Sequence, residues 1–176
     1  MRKKLAWFLF AGVITVVTVV YTERARATPA NGFVGTTMAL GHFGNIDVVN
    51  EQLVDDPNHR DDRFKKIWLS IQRTKGQSDV YVQSNTWQPG GDTGWHSHPG
   101  HSLIIVTAGE VTDYESDSPD CKPTVYKQGM GFVDPGGDHV HIIRNEGSVV
   151  ATTTTIQVIP SGATRRVDAD APEACQ

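Results

Sequence analysis

The chain has 176 residues, of which 16 are basic and 20 acidic, for a formal net charge of −4, and 38% are hydrophobic. This length suits one domain built around one core. An acidic chain without a basic patch is unfavourable for binding nucleic acid or anionic lipid, so we expect no nucleic-acid partner.

The N-terminus has the three parts of a secretory signal. Residues 1–4 carry positive charge, residues 5–21 are almost wholly apolar, and Ala25-Arg26-Ala27 is a small-residue cleavage pattern. Cleavage after Ala27 predicts a secreted or periplasmic protein. The apolar run also nears the length that crosses a bilayer, so an uncleaved N-terminal membrane anchor stays open.

Cleavage would make the remaining chain more acidic. Residues 1–27 contain five of the 16 basic and one of the 20 acidic residues, which leaves 11 basic and 19 acidic residues and a net charge of −8. The chain has two cysteines, Cys121 and Cys175, in polar sequence. In an oxidising compartment they most simply form one disulfide, which stabilises the fold by about 4 kcal/mol in the chain-entropy model. The alternative is two unpaired exposed thiols.

Residues 28–66 are predicted to form an N-terminal extension, with a polar linker at residues 28–37 and a solvated charged loop at residues 55–62. From residue 67 apolar and polar side chains alternate with period two, which is typical of half-buried strands. Short strands with glycine turns between them predict an all-β barrel or sandwich over residues 67–160, followed by a tail at 161–176. The predicted strands are residues 67–72, 80–85, 103–107, 111–114, 124–126, 132–134, 140–144 and 149–159, with a turn at 88–91.

Histidines are concentrated in this region, and five of the seven lie between residues 96 and 141. His96 and His98 are two apart, so on an extended strand both side chains point to the same face. Imidazole is the commonest metal ligand in proteins, and His141 supplies a natural third ligand. Three nitrogen ligands leave positions open for water or substrate, as in catalytic sites. We expect no ligand role for His42 or His59.

Two motifs around these histidines resemble those of the cupin superfamily. In the first, Gly90, His96, His98 and Gly109 have the family's spacing, but Ser102 stands where the family has glutamate. The second motif has one extra residue before its histidine. Its positions are otherwise matched, by Gly129, Pro135, Gly137, His141 and Asn145. The resemblance covers about residues 80 to 160. It implies a single-domain double-stranded β-helix, the jelly-roll barrel of the cupins.

The resemblance also implies a ligand set for a divalent transition metal, Fe, Mn, Ni, Cu or Zn, at His96, His98 and His141. His101, Ser102 and His139 stay open as additional ligands. Without the carboxylate of the family's glutamate, such a site keeps the full charge of the ion and should favour an anionic or chelating ligand.

Trp95 and Phe132 are expected to line the pocket beside these ligands. The first functional hypothesis is a secreted, metal-dependent enzyme with oxygenase, decarboxylase or isomerase chemistry on a small anionic substrate. The alternative is a non-catalytic module that binds a small ligand or sugar. Members of the superfamily commonly dimerise, so a homodimer stays open.

Overall fold

The computed structural model describes residues 28–53 and 67–175, which form β-strands joined by loops and short 3-10 turns. The predicted signal segment at residues 1–27 and the predicted charged loop around His59 lie outside the described residues. Of the helices within the described ranges, none has the length and apolar character needed to cross a membrane.

The described strands are numbered in chain order, and most coincide with the predicted ones. They are β1 (Asn31–Phe43), β2 (Asp47–Leu53), β3 (Ile67–Arg73), β4 (Ser78–Asp92), β5 (His96–Ser97), β6 (Ser102–Ala108), β7 (Glu110–Glu115), β8 (Thr124–Lys127), β9 (Gly131–Asp134), β10 (His141–Arg144), β11 (Ala151–Pro160) and β12 (Val167–Asp168).

Two layers of antiparallel strands make up the barrel in the described part of the chain. The first layer has the order β1-β4-β11-β6-β9, and the second has the order β8-β7-β10-β5-β12. The layers join where Arg144 of β10 pairs with Asp92 of β4. This nearly closed arrangement confirms the prediction of an all-β jelly roll.

The sheet begins earlier than the pattern predicts. Strand β1 lies in the predicted extension, yet it pairs with β4 from Asn31 to Phe43. Conversely, β3 lies inside the predicted barrel boundary but pairs with β2 in a separate two-stranded sheet. Glycine, threonine and alanine dominate β1, so its own apolar pattern is weak and pairing with β4 provides its stability.

The predicted turn at residues 88–91 is a bulge within β4. Phe33 pairs with Trp87 and Asn31 pairs with Asp92, so four residues of β4 lie opposite one residue of β1 and β4 has three additional residues at this point. Gly90 has φ +76°, a left-handed conformation that favours glycine. The excursion bends the strand and directs its continuation towards β5, where the first site histidine lies.

Apolar side chains from both layers fill one end of the barrel. The buried cluster consists of Trp87, Ile104, Val106, Val111, Phe132, Ile143 and Ala151. Phe132 also stacks on Tyr126, with ring centroids 4.2 Å apart. Burial of such apolar area is the dominant favourable contribution to folding.

The C-terminal segment returns to the barrel after β11. Cys121 and Cys175 form the predicted disulfide, with their Cα atoms 5.2 Å apart. Asp79 of β4 accepts hydrogen bonds from the Ser161 hydroxyl and the Gly162 amide, each at 3.0 Å. His42, for which we expect no ligand role, lies on β1 with its Nδ1 2.8 Å from the same carboxylate. These bonds fix the start of the tail against β4.

Candidate metal centre

Three histidines meet between the two layers at the polar end of the barrel. His96 lies on β5, His98 follows that strand, and His141 begins β10 directly opposite His96. The ring centroid of His96 lies 4.7 Å from that of His98 and 4.6 Å from that of His141. One nitrogen from each ring lies within 4.8 Å of the other two. The structure therefore brings together the three side chains that the spacing singles out.

The Nδ1 atom of each ring faces a protein acceptor. That of His96 lies 2.9 Å from the Gly94 carbonyl oxygen, and that of His98 lies 2.6 Å from the Arg165 carbonyl oxygen. The Nδ1 of His141 lies 3.3 Å from a carboxylate oxygen of Asp113. An acceptor at Nδ1 favours the tautomer with the proton on that nitrogen, which leaves Nε2 available as a ligand. The Nδ1 of His98 also lies 3.0 Å from the side-chain nitrogen of Gln157.

Burial affects the protonation of these rings differently. It lowers the pKa of His96 to about 2, with further lowering by the nearby His141. It also lowers the pKa of His98, against an opposing effect of the bond to Arg165. Burial lowers the pKa of His141 too, but the carboxylate of Asp113 outweighs it, so that pKa is raised. Neutral imidazole is the form that ligates a metal, and His96 and His98 favour that form.

A buried carboxylate that the sequence analysis did not single out lies beside this cluster. Asp134 of β9 is fully buried, with Oδ2 3.6 Å from Nε2 of His98 and 4.0 Å from Nε2 of His141. Two ligands of one ion, each about 2.1 Å from it, lie no more than about 4.2 Å apart. Of these side chains, the three histidines alone form a group whose ligand atoms all lie within 4.8 Å of one another, so the expectation of a site without a carboxylate ligand stays a prediction, with Asp134 as an additional candidate. Alternation on β9 was the available signal, because it points Asp134 to the same face as Phe132.

Ser102 occupies the position of the family's glutamate and pairs with Asp134 across β6 and β9. Its hydroxyl donates a hydrogen bond to Oδ2 of Asp134 at 3.3 Å, and its side chain is buried. Ser102 therefore contacts the Asp134 carboxylate of the neighbouring strand.

Neither of the other two open ligands belongs to the three-histidine cluster, although the ring centroid of His139 lies 5.9 Å from that of His141. His101 is half-buried and faces a groove on the outer side of β11. His139 lies in the turn before β10, with Nε2 3.6 Å from Glu115 and Nδ1 3.5 Å from Asp117. Because the Pro135–Gly137 turn separates His139 from the regular strand, strand parity does not apply to it, and its side chain faces these carboxylates.

The two aromatic residues expected in the pocket do not line the cavity. Phe132 lies in the apolar cluster at the other end of the barrel. Trp95 is buried, and its backbone amide donates a hydrogen bond to the Thr28 hydroxyl at 2.6 Å. The left-handed Gly94, with φ +66°, changes the chain direction just before Trp95, so regular alternation does not extend through this residue.

A cavity of about 290 Å³ opens beside the histidines. The polar part of its wall comes from inward-facing side chains of β4 and β11, among them Gln83, Asn85, Thr153, Thr155 and Gln157. The Asn85 amide donates hydrogen bonds to the hydroxyls of Thr153 at 3.2 Å and Thr155 at 3.0 Å. Two arginines of the C-terminal segment, Arg165 and Arg166, also line the cavity, although residue spacing gave no sign of them.

A family model described as a cupin domain matches residues 85–157. No curated protein matches the chain. Among solved structures, the chain is similar to an oxalate oxidase at 25% identity, with 47% of this chain and 46% of that chain covered and a TM-score of 0.40. It is also similar to a structure of DMSP lyases at 19% identity, with coverages of 52% and 44% and a TM-score of 0.45.

A third similar structure is a cupin superfamily protein from Desulfitobacterium hafniense, at 16% identity with 46% of this chain and 67% of that chain covered and a TM-score of 0.39. The match spans less than half the length of the oxalate oxidase. The two motifs that carry the histidines fall within or directly beside the matched segment at residues 85–157. Residues 85–157 therefore match a cupin domain, and the jelly-roll architecture of the described strands agrees with that match.

Proposed function

We propose that this protein is a secreted, metal-dependent cupin enzyme that acts on a small anionic or chelating substrate. The observation that carries the proposal is the convergence of three imidazole rings, each of which offers one nitrogen within 4.8 Å of the other two. The Nε2 atom of His141 supports it, because this nitrogen is buried and has no hydrogen-bond partner among the described residues. Such an unsatisfied atom is costly unless something binds it.

The residues that would hold the ion are His96, His98, His141 and Asp134. This set of imidazoles and one carboxylate suits Fe, Mn, Ni, Cu or Zn. When bound, such an ion acts as a Lewis acid for an oxygen-donor substrate and lowers the pKa of bound water. The carboxylate of Asp134 reduces the net charge of the centre, while leaving it positive.

The surrounding residues would position substrate and exclude water. The wall of amides and hydroxyls on β4 and β11 offers neutral hydrogen bonds, and the cavity of about 290 Å³ is at the small end of ligand sites. Apolar side chains such as Ile104 and Ile143 close the inner end. This combination fits oxygenase, decarboxylase or isomerase chemistry on a small acid or enol.

An oxidising compartment outside the cytoplasm best fits the disulfide. Cys121 and Cys175 are joined, and disulfides persist mainly in oxidising compartments. With the signal-like segment at residues 1–27, this supports an exported protein, with membrane anchoring by the same segment as the alternative. A homodimer stays part of the proposal as an oligomeric state.

A second function, a non-catalytic module for a small ligand or sugar, is favoured by the neutral polar wall. Amides and hydroxyls such as those of Gln83, Asn85 and Thr155 are suited to sugar hydroxyls. It requires no metal chemistry, and the three histidines would then serve only to shape the cavity.

The two functions are separated by metal analysis followed by an activity screen. The purified protein is assayed for bound metal and then for oxygen consumption or carbon dioxide release with small acids and diketones. Bound Fe, Mn or Ni together with turnover supports the enzyme. A metal-bearing protein without turnover on any of these compounds supports the binding module.

A further inference from the structure

The C-terminal segment at residues 163–168 is built into the metal centre, although it lies outside the matched residues 85–157. Its strand β12 pairs with β5, with Asp168 opposite His96. The Arg165 carbonyl oxygen is the acceptor that faces Nδ1 of His98. The segment is also tied at its far end by the disulfide of Cys175. It is therefore a fixed wall of the site.

The Arg165 guanidinium is held by side chains of the surrounding strands. Its Nε donates to Gln157 Oε1 at 3.0 Å, one Nη donates to Thr37 Oγ1 at 2.9 Å, and the other donates to the Gln83 amide oxygen. The guanidinium also stacks 4.0 Å above the Tyr81 ring. Because every arm of this guanidinium is engaged by the protein, Arg165 is a positioning residue.

Arg166 differs from its neighbour. Its Nε donates to Oδ1 of Asp168 at 2.5 Å, and its side chain is 30% exposed and lines the cavity. Within residues 28–53 and 67–175, its two Nη groups have no hydrogen-bond acceptor. Arg166 lines the same cavity as His96 and His98.

The cavity offers a ligand two binding points, one at Arg166 and one at the three histidines. A guanidinium with both Nη groups available binds a carboxylate in a bidentate manner, and Asp168 holds Nε so that the fork is oriented. On the other side stand the open positions beside His96, His98 and His141. The cavity volume of about 290 Å³ restricts the ligand to a few heavy atoms beyond its carboxylate.

We propose that Arg166 binds the carboxylate of a small organic acid whose second oxygen donor lies at the metal centre. The inference rests on the proposed function for that second donor. It identifies the substrate class as small hydroxy, oxo or dicarboxylic acids. It also explains why the wall of the site extends past the matched domain into the C-terminal segment.

The test measures binding of lactate, pyruvate and malonate, and of their neutral amides, to the purified protein by calorimetry. We expect Arg166→Gln to weaken binding of the acids by about 10- to 100-fold, the range for a lost hydrogen bond to a charged group. Arg166→Lys, which keeps the charge but loses the fork, should recover part of that affinity. Arg73→Gln is the control, since its guanidinium pairs with Asp47 in the separate β2–β3 sheet.

Metal content and thermal unfolding are measured on the same samples. Unchanged metal content and melting temperature in Arg166→Gln, with lost acid affinity, support the inference. Native protein that binds none of the acids, or binds them no better than the amides, overturns it, as does equal acid affinity in Arg166→Gln. Native protein that binds acids through Arg166 but holds no metal contradicts the proposed function and leaves the carboxylate site standing.

Discussion

The two ends of the barrel interior are built by the same strands but have opposite chemistry. Along β11, Ala151 lies in the apolar cluster, whereas Thr153 and Thr155 face the cavity. Along β6, Val106 lies in the apolar cluster, whereas Ser102 faces the metal centre. Strand alternation decides which side chains point inward, and position along the strand decides whether they stabilise the fold or form the site. Stability and binding should therefore be separable by mutation.

The largest effect on stability is expected at the apolar end. Phe132→Ala should lower the free energy of unfolding by about 3–5 kcal/mol, because it leaves a cavity in the core cluster. The neighbouring Val133 is 57% exposed, so Val133→Ala should change it by less than about 0.5 kcal/mol. Denaturant titration of both variants measures the difference. Equal effects would contradict the position of Phe132 in the core.

The disulfide should have the next largest effect. Reduction should lower the free energy of unfolding by about 2–4 kcal/mol, since the bridge closes a loop with a sequence separation of 54 residues. Thermal unfolding with and without reductant measures it. A Cys121→Ser/Cys175→Ser double variant is the control, and it should show no response to reductant. An unchanged melting temperature of the native protein under reductant would count against the bridge.

At the polar end the expected losses are in metal affinity. His141→Ala should lower it by at least about 100-fold, because it removes a ligand of the proposed centre. His101→Ala is the matched control, because this histidine faces the outer groove. The metal affinity of this variant should equal that of the native protein. Competition with a chelator measures both. Similar affinities of the two variants would show that His141 is not a ligand.

Asp134→Asn should lower metal affinity by about 10- to 100-fold, because it keeps the shape of the side chain and removes its charge. Ser102→Ala should have a smaller effect, since the hydroxyl only donates a hydrogen bond to that carboxylate. Titration of both variants with the same ion gives the comparison. A greater loss for Ser102→Ala would place the ligand role on the serine.

The smallest expected effect concerns the anchor of the tail. Hydrogen bonds from the Gly162 amide and from His42 lower the pKa of Asp79 below its ordinary value. The ionised form is therefore favoured by folding, and its contribution to stability is present above the ordinary pKa and lost as pH falls through the lowered pKa. Asp79→Asn should be less stable than the native protein at neutral pH, and the difference should shrink in acid. A constant difference between pH 7 and pH 2 would contradict this.

Much of the fold could be predicted because its signals are local. The period-two alternation of β3 and of the first half of β4 is present in each segment alone. Strand β1 was missed because its glycines, threonines and alanines give no such pattern, and its pairing with β4 joins residues far apart in sequence. The two-residue β12 likewise exists only through its pairing with β5.

The site divides in the same way. Spacing on the two motifs was sufficient to select His96, His98 and His141. Asp134 could have been inferred from alternation on β9, but the family pattern directed attention to Ser102 instead. Arg166 had no sequence signal, because it reaches the cavity only through the return of the C-terminal segment. Side chains contributed by long-range pairing are the part of a site that a local pattern does not contain.

The most direct test of the account is an anomalous diffraction map from crystals of the purified protein loaded with Mn²⁺ or Zn²⁺. We predict one strong peak between the Nε2 atoms of His96, His98 and His141, in contact with the carboxylate of Asp134 and absent from crystals of His141→Ala. Native crystals without a peak among these three rings, or with one only at other residues, would contradict a metal centre between the two layers.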